Sequence, residues 1–127
     1  MTNQSAELRC RFGERSIVPD IAVFAWQRIP RQQEGRIVNV VSAAPDWVIE
    51  ILSPEQRQMR VTKNILHGLQ YETQMGWLVD PEEALVLVYR PDQPTELCEV
   101  MDLPLPVPDF AHGFRISLQE IFQFLCE

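Results

Sequence analysis

Trp47–Lys63, WVIEILSPEQRQMRVTK, decides how the chain is read. Val48, Ile49, Ile51 and Leu52 are β-branched or large and apolar, so Trp47–Leu52 is a strand candidate. Glu50 stands in the middle of it. A buried strand tolerates a carboxylate only when a partner or a metal offsets its desolvation. Ser53 offers an N-cap, Pro54 suits a first helical position, and Gln56 completes an S-x-x-Q capping box. The stretch therefore predicts a strand running straight into a helix over Pro54–Thr73. Along that helix Val61, Ile65, Leu66 and Leu69 fall on one side, and Arg60, Lys63, His67 and Gln70 on the other. Gly68 costs about 1 kcal/mol against Ala in a helix, which points to close packing or a late bend.

Strands are expected on both sides of this unit. Leu8, Cys10 and Phe12 share one face of an alternating stretch, Glu7–Phe12, and Gly13-Glu14-Arg15 supplies a turn. Ile21–Trp26 is apolar and strand-like, and the two stretches read as a hairpin. Pro19 belongs at its entrance, because proline cannot donate to a ladder. Asp20 then lies where the buried strand begins. Gln27–Gly35 reads as a loop, Arg36–Ser42 as a short strand, and Ala43-Ala44-Pro45-Asp46 as a turn. Met75–Asp80 and Ala84–Arg90 flank Asp80-Pro81-Glu82-Glu83 as a second hairpin, and Glu96–Met101 adds a strand. Alternating Pro104, Pro106 and Pro108 favour an extended segment. Ser117 and Glu120 form a capping box for a short terminal helix with Leu118, Ile121, Phe122 and Leu125 inward. The pattern is mixed α/β, in one domain, without the repeated βαβ units of a dinucleotide-binding fold. It contains neither G-x-G-x-x-G nor a phosphate loop.

Composition narrows the functional classes. At 127 residues, 46% hydrophobic and 23% charged, the chain is large enough for a real core and ordinary for a globular domain. Met1–Ser5 lacks the start of a signal peptide, and no apolar run reaches membrane-spanning length. Cys10, Cys98 and Cys126 are odd in number and widely spaced, which predicts reduced thiols in a cytoplasmic protein. The net charge of −7 argues against simple electrostatic binding of nucleic acid. The charge is uneven, however: residues 1–63 carry +2 and residues 64–127 carry −9. A polyanion would meet the first half.

Asp20 and Glu50 are the candidates for chemistry, because hard divalent cations take carboxylate oxygens together with water and substrate phosphate. Thirty residues of separation is weak evidence by itself. The ordered set Val18-Pro19-Asp20-Ile21-Ala22-Val23, Val48-Ile49-Glu50-Ile51-Leu52-Ser53-Pro54, Lys63, Gly76-Trp77-Leu78-Val79-Asp80-Pro81 and Val88-Tyr89-Arg90 is more specific. It resembles the Uma2 family of restriction-endonuclease-like proteins, abundant in cyanobacteria, from about Leu8 to Leu125. The PLPVPDF tail and the Phe-rich helix after it fit too.

The resemblance implies the PD-(D/E)xK nuclease fold, a mixed central sheet flanked by helices. It implies Mg²⁺ or Mn²⁺ at Asp20 and Glu50 and DNA as substrate. The motif's usual lysine position is Leu52 here, so the resemblance points to Lys63 as the catalytic cation, with Arg60 second. It also implies an N-terminal helical region that this sequence lacks, and hence open apolar sheet surface and a homodimer. Two other readings stand beside the nuclease: an inactive relic of the fold kept as a binding or assembly module, and a small structural partner protein. His67 is expected on the surface, His112 in a loop, and Trp26, Trp47 and Trp77 mainly in the core.

Overall fold

The computed structural model describes residues 2–3, 8–28 and 40–125, the first two by their backbone alone. In chain order its strands are β1 Thr2–Asn3, β2 Arg9–Phe12, β3 Arg15–Ile17, β4 Ile21–Val23, β5 Val40–Val41 and β6 Trp47–Ile51. Helix α1, Gln58–Leu69, leads to β7 Met75–Asp80, β8 Leu85–Tyr89, β9 Glu96–Cys98 and helix α2, Leu118–Leu125. Six strands form one mixed sheet in the order β1-β4-β6-β7-β8-β9, and three form a small sheet, β3-β2-β5.

β6 and β7 run parallel at the centre, with Ile49 beside Trp77 and Glu50 beside Leu78. A parallel pair needs a crossover, and α1 supplies it. The period-2 pattern of β6 sends Trp47 and Ile49 to one face and Val48 to the other. On the α1 face, Val48, Val61, Ile65, Leu78 and Tyr89 form one cluster. On the other, Trp47, Ile49, Trp77, Val79 and Val88 pack with Leu105 and Leu118. Trp77 Nε1–H donates to Pro106 O at 3.0 Å, tying the proline-rich segment across that face. Beside this cluster an open apolar groove of about 680 Å³ remains, between Ile21, Val23 and Ile51 on the sheet and Phe114, Phe124 and Leu125. Phe124 is 74% exposed there. No helix among the described residues is long and apolar enough to cross a membrane.

α1 docks by the face that the periodicity predicts, through Val61, Ile65 and Gly68. Leu66 is the exception and is 45% exposed. Gly68 and Gly76 are both there for close approach. A Cβ on Gly68 would press on Thr73 Oγ1, and one on Gly76 would collide with Ile65.

Several boundaries differ from the expectation. Ser53–Gln56 closes as a turn, with Gln56 N–H on Ser53 O at 3.0 Å and Ser53 N–H on the Gln56 side chain at 3.1 Å. Half of the capping box therefore forms, but the helix begins four residues later than Pro54, after an extended Arg57 with no side-chain cap. The extra turn gives the chain the length to leave β6 and climb onto the sheet face. The helix ends at Leu69, and the turn to β7 includes Glu72 at φ 82°.

The first hairpin also has a different partner. β2 pairs with β3, not with Ile21–Trp26. The two-residue turn at Gly13-Glu14, both left-handed, leaves room only for the strand immediately after it. β4 instead joins the large sheet beside β6. Beyond β4 the chain turns, and Trp26 is 65% exposed rather than core. Of Arg36–Ser42, Val40–Val41 is strand, while residues 29–39 lie outside the described residues, as does Cys126. The Asp80–Glu83 hairpin and the Ser117–Glu120 capping box are both present, the latter with both hydrogen bonds made.

Candidate active site

β4 and β6 are antiparallel, with Ile21 opposite Ile49. One step further along, Asp20 stands opposite Glu50. The two residues are joined reciprocally: Asp20 N–H donates to Glu50 Oε1 at 3.1 Å, and Ile51 N–H donates to Asp20 Oδ2 at 2.7 Å. The sheet register thus brings together two carboxylates thirty residues apart in sequence. Pro19 assists locally, because it is buried at the strand entrance and leaves the next residue as the first donor of the ladder.

Their environments differ. Asp20 is exposed, whereas Glu50 is only 9% exposed. Burial, and then the charge of Asp20, push the Glu50 carboxyl up to about 7, against the lowering effect of the Asp20 N–H. Beside it lies Cys10, fully buried, whose thiol is pushed up to about 11 by burial and by the Glu50 charge. That thiol is a packing group and not a nucleophile.

The expected cations stay apart from these carboxylates. Lys63 and Arg60 are exposed, and neither side chain forms a hydrogen bond or ion pair with any described residue. Lys63 lies on the opposite side of α1 from Val61, Ile65 and Gly68, which face the sheet. Leu52, at the motif's usual lysine position, packs against the α1-side cluster. His67 is not a free surface histidine. Its Nε2 is 3.0 Å from Phe12 O, and its ring stacks on Phe12 with centroids 5.0 Å apart. It fastens α1 to the small sheet. His112 is in a turn, with Nδ1 2.9 Å from Asp109 O.

Asp46 is the carboxylate that sequence reasoning passed over as part of a turn. It is 1% exposed. Its oxygens accept from Ala25 N–H at 2.7 Å, Arg28 Nη1 at 2.5 Å and Gln74 Nε2 at 3.3 Å. Its backbone carbonyl accepts from Gln74 N–H at 2.7 Å. The signal was its position: Pro45-Asp46, like Pro19-Asp20, sits immediately before a core strand.

Chemically, Asp20 and Glu50 present hard oxygen donors with no cationic side chain between them. Among the described residues no group of three or more His, Cys, Asp and Glu comes together. Two carboxylates suffice for Mg²⁺, which keeps several waters and completes its shell with substrate phosphate. The donor set fits such a cation, and the unneutralised repulsion between the two acids is what a cation would relieve.

Comparison with known proteins identifies the family. The chain matches the Uma2 family profile, described as "Putative restriction endonuclease", over residues 2–119. It is 54% identical to a protein of known structure from Anabaena variabilis ATCC 29413, described as a putative nuclease belonging to DUF820. The TM-score is 0.92, and the match covers 98% of this chain and 69% of that one. No curated protein matches. The family match spans nearly the whole sheet and α1, including both carboxylates, and the chain belongs to the Uma2 family.

Proposed function

We propose that the protein is a divalent-metal-dependent nuclease that hydrolyses DNA phosphodiester bonds, with Mg²⁺ or Mn²⁺ held by Asp20 and Glu50. The observation that carries this reading is the facing pair itself, set by the β4–β6 register and left without a cationic partner. A metal bound there would lower the pKa of a water and offset charge on a phosphodiester. The chain's own part is positional. β6 fixes Glu50 from a five-residue strand paired on both sides, and the Ile51 N–H holds the Asp20 carboxylate in place. The test is a thermal melt with and without Mn²⁺, followed by a plasmid-nicking assay. Wild type should gain stability with metal and nick DNA, and Glu50→Gln should lose both effects. No metal-dependent shift in wild type would sink the reading.

A second reading, a metal-competent binding module that does not cleave, is favoured by one observation. Lys63 and Arg60 both stand away from the two carboxylates, and Leu52 fills the motif's lysine position. A metal-dependent melt without nicking would select it.

A further inference from the structure

The cations of this acidic chain are sorted by the fold. Arg28 is paired with Asp46 and Glu72, and Arg90 with Glu96. Those pairs lie at the base of the main sheet and on its β8–β9 edge. Apart from Arg115, six other cations have no carboxylate partner among the described residues: Arg9, Arg11 and Arg15 on the β2–β3 hairpin, and Arg57, Arg60 and Lys63 at the start of α1. Among the described residues the Arg9 side chain meets only the Ser16 hydroxyl, at 2.9 Å, and that of Arg15 only the Asn64 amide oxygen, at 3.1 Å. Except for Arg15, all six are exposed.

The Arg15–Asn64 bond and the His67–Phe12 contact dock the hairpin against α1, so the cations belong to one packed unit. The acids on that hairpin and helix, with the loop into α1, are Glu14 and Glu55, both exposed and unpaired. Arg9 and Arg11 alternate with the buried Cys10, so both leave the outer face of β2. α1 has no acidic residue in its first turn, and the positive end of its dipole adds to Arg57 and Arg60. Asp20 follows β3 by three residues, and Arg57 follows β6 by six, so the two carboxylates lie where this unit meets the main sheet. The remaining acids lie mainly on the β7–β9 hairpins and the C-terminal segment.

Unpaired arginines on a stiff hairpin are poor choices for a merely solvated surface, because mutual repulsion between like charges destabilises the docking they share. They are suited to phosphate oxygens, which guanidinium groups bind by two parallel hydrogen bonds. We infer that the β2–β3 hairpin and the α1 N-terminal half form a surface that grips the phosphate backbone of duplex DNA and delivers it to Asp20 and Glu50. This inference rests on the nuclease reading for its substrate, and gives Lys63 and Arg60 a backbone-binding role outside the metal pair. The surface reads no sequence, since phosphate contacts position the duplex without specifying bases.

Binding measured without cleavage separates the two claims. A fluorescent 20-base-pair duplex is titrated with the full chain in EDTA at 50 to 200 mM salt. Wild type should bind, with a log–log salt slope set by the phosphates it neutralises. The combined Arg11→Ala, Arg60→Ala, Lys63→Ala variant should bind at least about tenfold more weakly, with the slope reduced by about one per contact removed. Arg115→Ala, an exposed arginine outside this unit, should change affinity less than about twofold. A thermal melt confirms that the variants fold. An unchanged slope and affinity in the triple variant, or equal binding of an acidic polypeptide at the same salt, would overturn the inference. Glu50→Gln should lose the metal response and keep DNA binding, whereas a wild type that binds DNA but shows no metal-dependent shift would fail the nuclease reading alone.

Discussion

Pro19-Asp20 and Pro45-Asp46 are the same dipeptide in the same local setting, a turn delivering the chain into a core strand, yet the fold makes opposite use of them. Asp46 is sealed and saturated: Ala25, Arg28 and Gln74 all donate to its oxygens. It anchors the start of β6 to the turn after β4 and to the end of the α1–β7 connection. Asp20 remains exposed, accepts from Ile51 N–H, and faces Glu50, a second acid. A carboxylate surrounded by donors stabilises the fold as an anion. A carboxylate opposite another carries unrelieved repulsion that the fold keeps in place. The difference teaches that a candidate functional acid is told from a structural one by what fails to neutralise it, and that lies in the strand across the ladder.

The comparison breaks first at Asp46. Asp46→Ala leaves the Ala25 N–H and the Arg28 guanidinium without their acceptor, and should cost on the order of 3–5 kcal/mol. A denaturant melt within about 0.5 kcal/mol of wild type would mean that the network carries no load.

Glu50 should behave in the opposite sense. Its carboxyl is raised from 4.5 to about 7 in the metal-free fold. The native state therefore holds the proton more tightly than the unfolded chain. The stability this proton contributes is complete below about pH 4.5 and is lost as pH rises through about 7. The shift corresponds to an upper limit on the order of 3 kcal/mol. Glu50→Gln should match wild type near pH 4.5 and exceed it at pH 8, by an amount up to that limit. Equal loss of stability by the variant at both pH values would place Glu50 with Asp46 as a structural acid.

Metal should sharpen the contrast further. At one hundred times its Kd, Mn²⁺ should stabilise wild type by about 2.7 kcal/mol, since the paired site exists only in the native state. Asp46 plays no part, so Arg28→Lys, which retains a cation opposite Asp46, should keep the metal response whatever its basal stability. Thermal melts with and without Mn²⁺ at pH 7.5 read both.

The smallest effect is expected at Asp20. Asp20→Asn keeps an oxygen for the Ile51 N–H and removes the charge that faces Glu50. It should change metal-free stability by less than about 1 kcal/mol, in the stabilising direction at pH 8. It should also weaken the Mn²⁺ shift. A loss comparable with that of Asp46→Ala would erase the distinction between the two dipeptides.

Much of this was legible in the chain. The apolar, β-branched run around Glu50 gives β6, the spacing of Val61 and Ile65 gives the docked face of α1, and Ser117 with Glu120 gives the start of α2. Each is a local regularity: alternation, a 3.6-residue period, or a side chain bonded three residues away. Ser53 with Gln56 carries the same capping signal and closes a turn instead, because the crossover from β6 needed length before its helix could reach the sheet face. The first hairpin was misassigned for a similar reason: local pattern identifies strands, but their pairing depends on how much chain the turn allows.

The sequence by itself determined that a mid-strand acid stands at Glu50, that Asp20 enters another strand, and that all the cations but Arg90 and Arg115 lie in the first half. Local chemistry is enough for these, because propensity, period and charge are properties of neighbouring residues. Tertiary structure alone decided that Asp20 faces Glu50 while Asp46 meets Arg28, and that the cations at the start of α1 share a unit with the β2–β3 hairpin. Those relations depend on ladder register and helix docking, which place residues tens of positions apart within hydrogen-bonding distance, where desolvation and Coulomb energy act strongly.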